Sequence, residues 1–211
     1  MDLALVLALS AQCAPGVSPE TMAAVAHTES RFNPLAIGVN RAAAVRQPRS
    51  RDEAARTARR LISAGVNIDL GLAQINSANL GWLRLTVEDA FDPCRNLAAA
   101  ETVLRAGFDP VRASADPQQA LRVALSRYNT GHPERGFRNG YVARVEASAA
   151  QLGLVRPASS ASQAVRVNAP LADAAHAAPP PAEWDVFARA RWSPTIRFAP
   201  DPQNQTWSVL P

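Results

Sequence analysis

Apolar residues recur at helical spacing in five stretches of this chain, and each stretch carries its own start and stop signals. Ser18 is placed to cap, and Pro19 to open, a helix ending near Ser30, with Met22, Val25 and Ala26 forming a stripe at i, i+3 and i+4. Ser50 and Glu53 have the spacing of a capping box for a second helix, whose apolar face is Ala54, Ala58, Leu61 and Ile62 and whose stop is Gly65. Asp92-Pro93 opens a third, with Leu97, Ala100 and Leu104 inward and Gly107 ending it. Asp116-Pro117, with Gln119, opens a fourth that runs through Tyr128. The fifth covers about 140–152, with Val142, Val145 and Leu152 on one face. Residues 33–49 read as a loop, and Val66 to Leu72, rich in branched residues and Gly, as short strands. A mainly α, α+β domain with a small irregular or β element near residues 66–75 is the expected fold.

The two ends of the chain differ from this body. Leu3 to Leu9 is an unbroken apolar run, but Met1-Asp2 puts an acidic residue where an export signal carries basic ones. Residues 1–12 are therefore read as an atypical export segment, a start displaced from the true one, or a segment packed on the domain. Beyond residue 156 the composition changes: residues 156–211 hold nine of the 17 Pro residues and no Gly. A stretch such as Ala177 to Ala182 sustains neither helix nor sheet, so 156–211 is expected to be a disordered, Pro/Ala-rich tail. Three of the four Trp residues, Trp184, Trp192 and Trp207, lie there and suggest a docking segment that folds on a partner. Residues 13–155 form the expected domain.

Composition narrows the class. Hydrophobic residues make up 47% of the chain, enough for a core, and no run of eighteen apolar residues marks a transmembrane helix. All 22 basic residues are Arg, giving a net charge of +4 without any basic block, which supplies little for nucleic-acid binding. Arg grips carboxylates and phosphates bidentately, which would suit an anionic polymer, but nucleotide-composition bias is the plainer reading, since Ala, Arg and Pro are abundant together. The only cysteines are Cys13 and Cys94, and none of the three His residues stands at ligand spacing, so a zinc site is not expected. A disulfide between them suits an oxidising periplasm and closes a loop whose chain entropy amounts to about 4 kcal/mol; two unrelated buried thiols is the other reading.

Glu29 carries the chemistry. It falls at i+7 on the Met22 stripe, so its carboxyl is expected to be partly desolvated and to hold its proton above the ordinary range. A protonated carboxyl near neutral pH is what a general acid needs to protonate a glycosidic oxygen. By position alone, an ordinary surface Glu at a helix end is the better reading.

Three segments in order favour the first. Glu29-Ser30, Gly71-Leu72-Ala73-Gln74-Ile75-Asn76 (GLAQIN) and Tyr128-Asn129-Thr130-Gly131 (YNTG) resemble the ES, GLxQIN and AYNxG motifs of the soluble lytic transglycosylases, which have a lysozyme-like fold. Within that family, Cys13-Ala14-Pro15, Ala36 to Asn40, Gln47-Pro48, Asn67 to Leu70 and Phe91 to Leu97 are similar to the VirB-type subunits of type IV secretion systems. The likeness covers about residues 11–150 and leaves the tail outside. It implies that Glu29 is the catalytic acid and base, with Ser30 beside it. It places Gln74 and Asn76 on the glycan cleft, and Tyr128 and Asn129 at the far wall with the Tyr128 hydroxyl near the carboxylate. Arg127 departs from the family's Ala and puts a bulky cation on the cleft wall or the outer face. Tyr128 also fits plain core packing, and Gln74 a turn whose backbone it satisfies.

The implied reaction is non-hydrolytic cleavage of the β-1,4 bond between N-acetylmuramic acid and N-acetylglucosamine in peptidoglycan, leaving 1,6-anhydro ends and requiring no metal or organic cofactor. Asp69, two residues before Gly71, offers the alternative: a second carboxylate for a hydrolytic lysozyme, or simply a turn or cap residue. A non-cutting glycan-binding scaffold is a third reading. The resemblance further implies periplasmic work on peptidoglycan strands during secretion-system assembly, with secretion components met through the 156–211 tail.

Overall fold

The computed structural model describes residues 1–40, 43–111 and 116–154. The expected tail, with Trp184, Trp192 and Trp207, lies outside the described residues. Among the described residues the architecture is mainly helical, with one small sheet. The apolar run at the start forms α1 (Leu3–Cys13), which packs on α2 (Pro19–Ser30) and α4 (Pro93–Phe108). Asp2 caps α1 through the Leu5 N–H, Val6 is fully buried, and the N-terminal ammonium donates to the Phe32 carbonyl at 2.9 Å.

Ser18 caps α2 as its spacing implies, accepting from the Thr21 N–H with Pro19 in the first turn. Met22 to Ala26 are all fully buried, so α2 is a central helix rather than a one-sided one. In α3 (Arg51–Ser63), Ser50 Oγ accepts from the Glu53 N–H, but the Glu53 carboxylate reaches the N–H of Arg49 rather than that of Ser50. α4 runs one residue past Gly107. That glycine does not stop the helix; it lets α4 approach α5 (Pro117–Thr130), where an added Cβ would lie 3.3 Å from the Ala124 backbone. α5 extends beyond Tyr128 to Thr130 and ends on left-handed Gly131. A short α6 (Arg135–Arg138) leads into α7 (Tyr141–Gln151), which lies along α2 with Thr28 Oγ1 donating to Ser148 Oγ at 2.9 Å.

The sheet is larger than the sequence pattern implies. Part of the expected loop forms β1 (Ile37–Val39), antiparallel to β2 (Ile68–Leu70), which pairs in turn with β3 (Ile75–Asn76). Gly71 makes the turn between the last two with φ +77°, and a Cβ there would sit 2.1 Å from the Ala90 carbonyl oxygen. Buried Asn96 staples this turn to α4. Its Nδ2 donates to the Leu70 and Ala90 carbonyls at 2.9 and 2.8 Å, and its Oδ1 accepts from the Ala73 N–H at 2.7 Å. Cys13 and Cys94 are bonded, Cα atoms 5.3 Å apart, fastening the end of α1 to the first turn of α4.

Candidate active site

A cleft of about 540 Å³ opens where the end of α2, the sheet and the end of α5 meet. Glu29 lies in it, in the last turn of α2. The sheet side contributes Asn40, Asp69, Gln74 and Asn76, and the α5 side Arg127, Tyr128 and Asn129. Of the catalytic and glycan-cleft residues expected from the sequence, Ser30 is the one that is not part of this lining. Its hydroxyl lies 2.6 Å from the Leu72 carbonyl oxygen, tying α2 to the GLAQIN turn.

Each wall has a local cause. Gln74 sits in the left-handed region (φ 51°), and its Nε2 donates to the Gly71 and Ala36 carbonyls at 2.9 and 3.1 Å. It therefore satisfies turn backbone as well as lining the cleft. Its Oε1 would lie 2.6 Å from a Cβ at position 38, which makes Gly38 part of the fit. Asp69, in the middle of β2, is no turn residue. Asn40 Nδ2 donates to one carboxylate oxygen at 2.8 Å and Asn76 Nδ2 to the other at 2.7 Å. Asn67 braces the two amides, its Oδ1 accepting from both at 2.8 Å. On the far wall, the Tyr128 hydroxyl donates to the Ala73 carbonyl at 2.6 Å instead of to Glu29. Asn129 Oδ1 accepts from Asn139 at 2.9 Å.

The hydroxyl that meets Glu29 belongs to Tyr141, which donates to Oε1 at 2.6 Å. The sequence reading passed over this residue. The available signal was a tyrosine four residues before Val145, on the inward face of the last helix, because a buried Tyr O–H requires a partner. Burial is the largest influence on Glu29 and pushes its pKa from 4.5 up to about 7. The Tyr141 hydrogen bond opposes this, the Asp69 charge adds to it, and the Arg144 guanidinium opposes it. Burial likewise holds the Tyr128 and Tyr141 hydroxyls well above the ordinary phenol range, so both stay donors. The cleft thus combines a carboxyl half-protonated near neutrality, a second carboxylate fixed by amides, and a polar floor suited to a hydroxyl-rich ligand. No group of His, Cys, Asp and Glu able to hold a metal ion occurs among the described residues.

Comparison with known proteins converges on the same span. The sequence profile described as Transglycosylase SLT domain matches residues 7–150. "Protein virB1" of Agrobacterium fabrum is 40% identical over 141 residues, covering 67% of this chain and 58% of that protein. "Type IV secretion system protein virB1" of Brucella suis is 45% identical over 150 residues, 68% of this chain and 63% of that protein. The virB1 protein of Rhizobium radiobacter is 39% identical over 157 residues, 74% of this chain and 66% of that protein. The chain thus spans about six tenths of the length of these curated relatives. No solved structure gives a significant match.

Proposed function

This chain belongs to the transglycosylase SLT family, and from that premise we propose that it is a lytic transglycosylase that cuts peptidoglycan strands without water. The observation that carries the reading is Glu29: a carboxyl buried in the cleft, holding its proton to about pH 7, with Tyr141 fixing its orientation. Glu29 gives its proton to the glycosidic oxygen as the bond from C1 of N-acetylmuramic acid breaks. The substrate's own N-acetyl group stabilises the cationic centre. Glu29, now a carboxylate, takes the proton of the same sugar's C6 hydroxyl while that oxygen bonds to C1, closing the 1,6-anhydro ring. Gln74, Asn76, Tyr128 and Asn129 position the strand, and Ser30 acts through the Leu72 carbonyl by fixing the GLAQIN turn.

The work is assigned to the periplasm, opening the wall locally for type IV secretion system assembly. The relatives' names support that context, and residues 156–211 are the proposed docking segment for secretion components. No helix among the described residues is long and apolar enough to cross a membrane. One observation favours a second reading: Asp69 shares the cleft with Glu29, held by two amides, as a retaining hydrolase would hold its second carboxylate. Digesting purified sacculi with the wild-type chain and with Glu29→Gln tests both. Anhydro-terminated muropeptides and a loss of at least ~100-fold in the variant are expected, since an amide cannot donate the proton. Reducing ends in place of anhydro ends select the hydrolase, and a folded, fully active Glu29→Gln removes the reading altogether.

A further inference from the structure

Arg127 stands where the family pattern has a small residue, and it is one of the residues that line the cleft. One of its N–H groups is engaged, Nη1 donating to the Gly107 carbonyl at 3.0 Å, which pins the guanidinium between the ends of α4 and α5. Among the described residues no carboxylate forms an ion pair with it. A half-buried, anchored cation facing a ligand cleft, with most of its five donors unengaged by described groups, is matched to a carboxylate. Asn129 adds to the same wall: its Oδ1 accepts from Asn139, and among the described residues its side-chain N–H groups donate to none. The acidic side of the cleft, Glu29 and Asp69, belongs to α2 and β2. An anionic substituent is therefore drawn toward the α5 wall and kept off the reacting centre.

We infer that Arg127 is a specificity-determining residue that binds a free carboxylate on the peptide substituent of the glycan, so that stem-bearing strands are preferred over bare ones. The inference rests on the proposed peptidoglycan cleavage and names the substrate class within it. A purely structural Arg127, holding only the Gly107 carbonyl, would be indifferent to the substrate's charge.

Three polymers given to the full-length chain separate these cases: strands with intact stem peptides, the same strands with stem carboxylates amidated, and strands stripped of stems by an amidase whose newly exposed lactyl carboxylates are then amidated. The wild type should lose at least ~10-fold in kcat/KM on the second and third, mostly through KM, as expected for a lost charge-assisted hydrogen bond. In Arg127→Gln the ratio between intact and amidated strands should fall to near one, and Arg127→Lys should restore part of it. The wild-type comparison needs no variant, so a misfolded Arg127→Gln leaves the test standing. Equal wild-type kcat/KM on all three polymers, or a folded Arg127→Gln that keeps the full preference, overturns this inference alone. Failure of the wild type to cut any of them overturns the proposed function and this inference with it.

Discussion

Replacing Glu29 by Gln should stabilise the protein at neutral and alkaline pH, by an amount the site itself sets. In the native state the carboxyl titrates at about 7, against 4.5 for an exposed Glu. As pH rises from 4.5 the unfolded chain gives up this proton first, so between those values the native state binds more protons and the wild type loses stability. The stabilising contribution of the protonated form is complete below about 4.5 and gone above about 7. The separation is about 2.5 pH units, and at about 1.36 kcal/mol per unit this amounts to roughly 3 kcal/mol. Gln has no proton to lose and still accepts the Tyr141 hydroxyl. Urea unfolding of wild type and variant, disulfide intact, from pH 4 to 8.5 gives the difference directly, because other titrating groups cancel. The variant's relative stability should climb by about 3 kcal/mol between pH 4.5 and 7 and be flat above. A pH-independent difference, or one that falls with pH, refutes the claim that burial holds the proton on Glu29.

Three further outcomes follow from single contacts. Tyr141→Phe removes the donor that favours the Glu29 carboxylate, so the alkaline limb of sacculus digestion, expected near pH 7 in the wild type, should move upward while kcat falls several-fold. Asn96→Leu leaves the Leu70 and Ala90 carbonyls and the Ala73 N–H without their partner; at about 1–3 kcal/mol for each buried unpaired group it should lose at least ~3 kcal/mol in urea unfolding. Cys13→Ser opens a bridge spanning a separation of 81 residues and should cost about 4–5 kcal/mol in the chain-entropy treatment, seen as a lower Tm that reductant no longer changes.

The parts of this protein legible in its sequence are those set by short-range chemistry. The Ser18-Pro19 and Asp92-Pro93 starts were readable because capping involves neighbouring residues, and the Glu29 stripe because helical phase carries over seven positions. What was not legible depends on contacts between distant segments. β1 is three residues long, and its pairing partner lies about thirty positions away, so nothing local separates Ile37–Val39 from loop. Gly107 looked like a helix stop because glycine has two uses, ending a helix and letting another helix come close. Only the presence of Ala124 on α5 reveals the second. Tyr128 and Tyr141 show the same limit within the site. A motif places a tyrosine beside a cleft, but which hydroxyl reaches the carboxyl depends on how α7 lies along α2.

The two carboxyl groups of the cleft illustrate how the fold assigns different work to like residues. Two acids near one another resist ionising together, so their surroundings decide which keeps the proton. Glu29 ends a fully buried helical stripe and has one hydroxyl donor; Asp69 lies on a short strand with an amide donor on each oxygen. The charge on Asp69 in turn helps hold the proton on Glu29. That coupling gives Asp69 a use that requires no covalent bond to the sugar. The two amides on its oxygens, both braced by Asn67, fix where that charge sits. In the proposed reaction Asp69 acts as a fixed charge: it supports the proton that starts the cleavage and the positive charge that follows, while the sugar's own C6 hydroxyl finishes the reaction.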